Sequence, residues 1–281
     1  MRRTAFTLVE LLMVILIIGM LISLLLPAVN AARLRAREAV MTSTIEQMVI
    51  ATEAWKNQHG GYPPDRAWSD AEMLTALRRA WPRMTWTPQD LAIVKSMDQA
   101  EIIVFWLGGI YDGVRMTGFS LDPRNPLAGP DVDHDPFMRG VLSQRTPPLY
   151  AFEETRLEDT DKDGFPEYYV EHPMLTNAPI VYFSARPNAG YLDSAGAIPF
   201  YRRMQVAGVA VPYQVRDPQK PAVVRWAAEG KYQIVCAGSD NEYGEAQPST
   251  HEKVFKLGTG FGPGDNDNLA SFAAGRIGDV Q

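Results

Sequence analysis

Residues 6–26 read FTLVELLMVILIIGMLISLLL, twenty-one residues with a single charge, the carboxylate of Glu10. As a helix this stretch rises about 31 Å, close to the roughly 30 Å hydrocarbon thickness of a bilayer. From Leu11 to Leu26 nothing is charged. A run this long and this apolar reads as a membrane-spanning helix.

Three kinds of processing fit such an N-terminus. A plain anchor would keep the segment. A secretory signal peptide would be cut after Ala31, because Val29, Asn30 and Ala31 offer small residues before Ala32. Against this, the apolar core exceeds the usual length of about 7–15 residues and holds Glu10 within it. A short leader would end much sooner. Met1-Arg2-Arg3-Thr4-Ala5 is basic, closes on a small residue and directly precedes Phe6-Thr7-Leu8-Val9-Glu10.

The string AFTLVELLMVILIIGMLISLLLPA resembles the N-terminus of type IV pilins and of the pseudopilins of type II secretion. The resemblance implies that a prepilin peptidase cuts between Ala5 and Phe6 and then N-methylates Phe6. The family usually carries Gly before the cut, where this chain has Ala5. Glu10 becomes the fifth residue of the mature chain, where the family keeps its glutamate. Pro27 falls where members carry a helix-kinking proline. The match covers roughly the first 30 residues. It implies a filament subunit whose partners are the prepilin peptidase, other copies and related pilin-like subunits, an inner-membrane assembly platform and the lipid bilayer.

A carboxylate within a bilayer is costly and tends to find a partner. Cleavage after Ala5 creates a positive amine on Phe6, and in a helical stack Glu10 of one chain can meet the Phe6 amine of its neighbour. Snorkelling of Glu10 to the headgroups is the alternative. Orientation is ambiguous from charge alone. Arg2 and Arg3 favour a cytoplasmic N-terminus, yet Arg33, Arg35 and Arg37 follow the other end. The resemblance implies a single pass through a bacterial inner membrane, with the leader inside and the head extracytoplasmic.

The 281 residues are 46% hydrophobic, enough for a sizeable core beyond the helix. Loss of Arg2 and Arg3 with the leader takes the formal charge from −6 to −8. That balance argues against a nucleic-acid partner. Cys236 is the only cysteine, which excludes an internal disulfide; it lies in a strand-like run and reads as a small buried side chain.

The helix continues past the apolar run. Leu34, Met41, Ile45, Met48, Thr52 and Trp55 recur at threes and fours as one stripe, and Gly60-Gly61-Tyr62-Pro63-Pro64 signals its end. A helix over 71–80 is expected with Asp70 as its cap. Another opens at Thr87-Pro88-Gln89-Asp90, and a third spans the apolar residues 100–107. Candidate strands are 149–153, 180–184, 223–227, 232–236 and 254–257.

The expected fold is α+β. A long N-terminal helix, membrane-spanning in its first half and amphipathic in its second, packs on a head with an antiparallel sheet in a pilin-like layout. The segments are a leader at 1–5, an assembly helix at 6–27 and its amphipathic half at 28–60. A helical and loop insertion follows at 61–148, and a β-rich part at 149–281.

Two acidic loops are candidate calcium sites. In the first, Asp159, Asp161 and Asp163 alternate ahead of Gly164, with Phe165 able to offer a carbonyl and Glu167 at the ninth position. Hard cations want such oxygens around a tight turn. The twelfth position is Val170, so a complete EF-hand is excluded, and a plain acidic turn remains the alternative. In the second, Asp240 follows a strand and Asp265 and Asp267 stand in a late Asp-Asn-Asp-Asn run. This loosely resembles the calcium-binding C-terminal loop of major pseudopilins. The cluster Asp131, Asp133 and Asp135 reads as loop surface.

Catalytic motifs are missing: there is no GxSxG, GxxxxGK[ST] or HExxH. A structural subunit is therefore expected, not an enzyme. The alternative is a secreted calcium-binding domain released after Ala31.

If the short leader is correct, Ala5→Leu should leave unprocessed precursor in the membrane, since the cut needs a small residue. Gel mobility and N-terminal mass check this; a variant that still matures to Phe6 would defeat the reading.

Overall fold

The computed structural model describes residues 8–279 apart from 142–143, 172, 174–175, 218–219, 221, 256–257, 259 and 274. Ala5 and Phe6 therefore lie outside the described residues. The chain divides into two compact units, Met1–Val40 and Met41–Gln281.

Helix α1 runs Leu8–His59 and continues through Pro27. Within the first unit, no described residue is buried, and Leu8, Leu16, Met20 and Leu24 are each at least two-thirds exposed. This is the one helix among the described residues long and apolar enough to cross a membrane.

In the second unit α1 becomes one-sided. Met41, Thr44, Ile45, Met48, Ala51, Thr52 and Trp55 are buried, at the three-and-four spacing that gathers side chains on one helix face. Leu34, expected in that stripe, is exposed, and Thr44 and Ala51 join it instead. Helix α2, Asp70–Ala80, begins one residue earlier than expected. Its cap is Ser69, not Asp70, because Glu72 three residues on closes a reciprocal capping box with Ser69. Helix α3, Pro88–Ser96, starts as its sequence predicts, with a box between Thr87 and Asp90. Helix α4, Glu101–Gly108, is buried on every side.

The strands are β1 Leu157–Glu158, β2 Glu167–Tyr168, β3 Val181–Ser184, β4 Gln214–Arg216, β5 Val224–Trp226, β6 Tyr232–Cys236, β7 Val254–Phe255 and β8 Leu269–Ala270. They form three sheets, ordered β1-β2, β3-β6-β8 and β5-β4-β7. All pairs are antiparallel except β4 with β7, which run parallel. The fold is thus α+β, with one long apolar N-terminal helix and antiparallel sheets.

The expected strand at 149–153 does not form. The N–H groups of Leu149 and Tyr150 both turn to the carbonyl of Leu107 at the end of α4, so this stretch caps a helix and joins no ladder.

The sheet β3-β6-β8 is buried on both faces. Tyr182, Tyr232, Ile234 and Cys236 enter one apolar cluster with α1, α2 and α4. Val181, Phe183, Val235 and Ala237 enter a second, with Tyr191, Tyr201, Tyr213 and Tyr243. Cys236 is buried as expected, and burial pushes its thiol up to about 12.

The turn after α1 is tied to this sheet. Tyr182 Oη donates to the Pro63 carbonyl at 2.8 Å, and Trp106 Nε1 donates to that of Pro64 at 2.9 Å. The next residue, Asp65, is 1% exposed and accepts the N–H groups of Ser184 at 2.8 Å and Ala67 at 2.9 Å. Burial pushes its carboxyl up to about 7, against the pull of those donors and of Arg66 and Arg186.

Between pH 4 and 7 folded Asp65 keeps a proton that the unfolded chain has released. Its contribution to stability therefore falls as pH rises through that window. Asp65→Asn should lack this slope, so the melting temperature of the variant, relative to wild type, should climb from pH 4 to 7. A pH-independent difference would place the Asp65 carboxyl near its ordinary value.

Candidate metal centre

The first acidic loop joins β1 to β2, whose register sets Glu158 opposite Glu167. Its backbone turns back on itself through Lys162 at φ 62° and Gly164 at φ 93°. The latter lies in the region that favours glycine. Gly164 N–H donates to Asp159 Oδ2 at 3.0 Å, and Phe165 N–H to Asp163 Oδ1 at 2.9 Å. The other oxygen of Asp159, Oδ1, is buried with no hydrogen-bond partner. Asp161 and Asp163 are exposed.

Facing the loop is the start of α4. Asp98 caps this helix, accepting the N–H groups of Ala100 at 2.7 Å and Glu101 at 3.1 Å. Glu101 is 3% exposed, and its Oε2 accepts the Asp98 N–H at 2.7 Å. One carboxylate oxygen each from Glu101, Asp161 and Asp163 lie within 4.8 Å of one another. Burial, then the charges of Asp98, Asp163 and Asp161, push the Glu101 carboxyl up to about 10. Burial and the neighbouring Asp161 and Asp159 push Asp163 up to about 6.

Of the residues expected here, Glu167 turns aside. Buried at 4% exposure, it accepts both the hydroxyl and the N–H of Thr160, with Arg203 3.9 Å away. Its lone pairs serve the turn. Glu101 was not foreseen as a site residue. The signal was present, since Glu101 is the only charge in an otherwise apolar run and stands three residues after Asp98.

The second loop sets Asp265 apart from Asp240 and Asp267, which stay together. Asp265 is fully buried against Lys253, itself fully buried, at 2.7 Å. Tyr213 Oη donates to the same Asp265 oxygen at 2.8 Å, and Gly262 N–H to the other at 2.9 Å. The Lys253 ammonium also donates to the carbonyls of Tyr243 and, at 3.2 Å, Gly244. Asn268 closes the network, donating to Tyr213 Oη at 3.0 Å and the Tyr243 carbonyl at 3.2 Å. Gly244 allows the approach, because a Cβ there would stand 2.5 Å from the Asp265 carboxylate.

The Lys253 ammonium thus meets the charge of Asp265 within the chain. Asp267 Oδ2 instead accepts Ser239 Oγ at 2.9 Å and the Asp240 N–H at 3.2 Å. Burial, followed by the charges of Asp267 and Glu242, raises the Asp240 pKa.

Asp131 lies in an exposed turn, accepting from the N–H groups of Asp133 and His134 and pairing with the His134 ring at 2.8 Å. The other described histidines have different neighbours: His59 lies against Trp55, and His251 stacks on Phe200. His172 lies outside the described residues. No family model, curated protein or solved structure matches this chain.

Removing one partner of a buried ion pair leaves an uncompensated charge and costs about 3–5 kcal/mol. Lys253→Met should lose stability on that scale in denaturant unfolding of the full chain, and Lys253→Met with Asp265→Asn should recover part of it. A Lys253→Met variant within about 1 kcal/mol of wild type would show that the pair is not the anchor of this loop.

Proposed function

We propose that this chain is a pilin-like structural subunit, a pseudopilin, that assembles through α1 into a type II secretion pseudopilus or a type IV pilus-like filament. One observation carries the reading. The first 33 described residues of α1, Leu8 to Val40, bury nothing although their first half is almost wholly apolar. A surface of that kind requires lipid, or other helices of the same kind, as its solvent. A helix that is apolar all round and then turns one-sided at Met41 suits a subunit with two environments, a membrane or filament core for one half and a folded head for the other.

On this reading the prepilin peptidase removes residues 1–5 and methylates Phe6. The chain rests in the inner membrane with its head outside the cytoplasm, and the assembly platform extracts α1 into the growing filament. Pro27 lacks the N–H that would bond the carbonyl four residues earlier, so it is the natural site for α1 to bend on leaving the bilayer. Glu10 guides docking by pairing with the Phe6 amine of a neighbouring chain. No enzymatic activity and no nucleic-acid partner enter this account. A second reading, a calcium-binding domain freed after Ala31, draws support from the acidic loop facing Glu101. A mature N-terminus at Ala32 instead of Phe6 would select it.

Glu10→Leu makes the membrane segment more apolar and leaves the cut intact, so insertion and cleavage should persist. Entry into sheared filaments should drop sharply while the melting of the head is unchanged. Wild-type incorporation of a processed Glu10→Leu chain would remove charge pairing and leave headgroup snorkelling as the role of Glu10.

A further inference from the structure

Lys253, Asp265 and Asn268 are all fully buried, and their side chains meet in one closed ring of hydrogen bonds. Lys253 Nζ donates to Asp265 Oδ1 at 2.7 Å, and Tyr213 Oη donates to the same oxygen at 2.8 Å. Asn268 Nδ2 donates to Tyr213 Oη at 3.0 Å and to the Tyr243 carbonyl at 3.2 Å. That carbonyl also accepts from Lys253 Nζ, which closes the ring. An amine and a primary amide thus share one acceptor. A carboxylate touches the amine, and a phenol links that carboxylate to the amide.

An ion pair needs only Lys253 and Asp265. Asn268 adds an electrophile beside them, and a neutral amide is easier to attack than an ionised carboxylate. Its oxygen, Oδ1, accepts the Gly238 N–H at 3.1 Å. A backbone donor therefore already stands where negative charge gathers if the amide carbon is attacked. The amine is prepared in the opposite sense. Burial pulls the Lys253 pKa below its ordinary value, although Asp265 acts the other way. A desolvated lysine that gives up its proton is a nucleophile. The Tyr213 ring lies 5.6 Å from Nζ, with Phe261 and Phe272 packed on it. Such apolar walls keep out water and hold the reacting groups together, which replaces a chance encounter by a standing one.

We propose that Lys253 and Asn268 become joined by an amide bond between their side chains, with Asp265 carrying the proton. Asp265 takes a proton from the Lys253 ammonium. The Nζ lone pair attacks Asn268 Cγ, and the negative charge collects on Oδ1 against the Gly238 N–H. Asp265 passes its proton through Tyr213 Oη to Nδ2, and the Cγ–Nδ2 bond breaks. Nζ loses a second proton by the same path, so the released nitrogen departs as ammonium and Asp265 ends ionised, as it began. An Nζ–Cγ amide remains, and nothing is oxidised or reduced. Lys253 directly precedes β7 and Asn268 directly precedes β8, so the bond ties the sheet β5-β4-β7 to the sheet β3-β6-β8. With Cys236 as its single cysteine, the chain has no disulfide to make that tie. The site stands independently of the filament reading.

The test is a tryptic digest of the full chain, purified in detergent and read by mass spectrometry. Trypsin cuts after a free lysine and not after an acylated one. Wild type should give residues 232–256 joined to 257–276, lighter than the two peptides together by one ammonia, and no peptide ending at Lys253. Asp265→Asn, checked for folding by its melting, should form the link to Asn268 about a hundredfold more slowly, the scale of lost general acid–base catalysis. Should that variant not fold, Tyr213→Phe keeps the ring, removes the relay and should slow the link at least tenfold. Cleavage after Lys253 in wild type, with 257–276 at its plain sequence mass, overturns the proposal. So does a joined peptide lighter by one water and branched at Asp265. Linking at the wild-type rate in folded Asp265→Asn, or in Tyr213→Phe where that carries the test, overturns the proton path.

Discussion

The head depends on a strand with no free face. All five residues of β6, Tyr232–Cys236, are buried. Side chains alternate across a strand, so both of its surfaces must be covered. The stripe of α1 from Met41 and the whole of α4 cover one, while the tyrosine-rich segments between β3 and β8 cover the other. Gln233 shows how closely the second cover is fitted. It is fully buried, yet its amide accepts the Tyr213 N–H and donates to the carbonyls of Tyr213 and Ala227. A polar side chain in the middle of a core strand thus satisfies the chain that crosses over it, which is what makes its burial tolerable.

Packing of this density forces the buried carboxylates to find local answers. Asp90 is met by Arg139, whose Nε donates at 2.9 Å, and Glu72 by Arg186, also at 2.9 Å. In both, the carboxylate also closes a capping box, so the arginine joins a helix start to a distant part of the chain. The hydrogen bonds to Ser69 and Arg186 hold Glu72 below the usual carboxylate range against its partial burial. Asp265 takes a fully buried lysine instead. Glu101 is the exception in this series. It has the burial of Asp265 and the helix-start position of Glu72, and no basic residue among the hydrogen-bond and ion-pair partners found for it.

Much of this was legible in the residue order, and the failures have physical reasons. Period and caps located α1, α3 and α4 to within a residue or so, and the run Tyr232–Cys236 was anticipated residue for residue because tyrosine, isoleucine and valine favour strands. The false strand at 149–153 has the right residue types, but its backbone donors are taken by the end of α4, a tertiary fact that no local pattern contains. The loop 159–167 was visible as an acidic turn, whereas the residue facing it, Glu101, lies 58 positions before Asp159 and is brought there by folding. Lys253 left no trace at all. Between Glu252 and Val254 it resembles any surface lysine, and only the fold brings the Tyr243 and Gly244 carbonyls and the Asp265 carboxylate around its ammonium.

Glu10 and Glu101 pose one problem twice. Each stands in the first turn of a helix that is free of charge for many residues beyond it. That position is the least costly place for a carboxylate in an apolar helix, because the amide dipoles there present their positive end. The dipole contributes only about 0.3–1 kcal/mol at an ordinary helix start, whereas removing a charge from water costs several. For Glu101 the difference is met by keeping its proton, since burial and the charge of Asp98 push its carboxyl up to about 10. Under the assembly proposed here, the amine of a neighbouring chain meets Glu10. An apolar helix thus accommodates a carboxylate at its first turn in two ways, by a charge brought from another chain and by a proton that stays on.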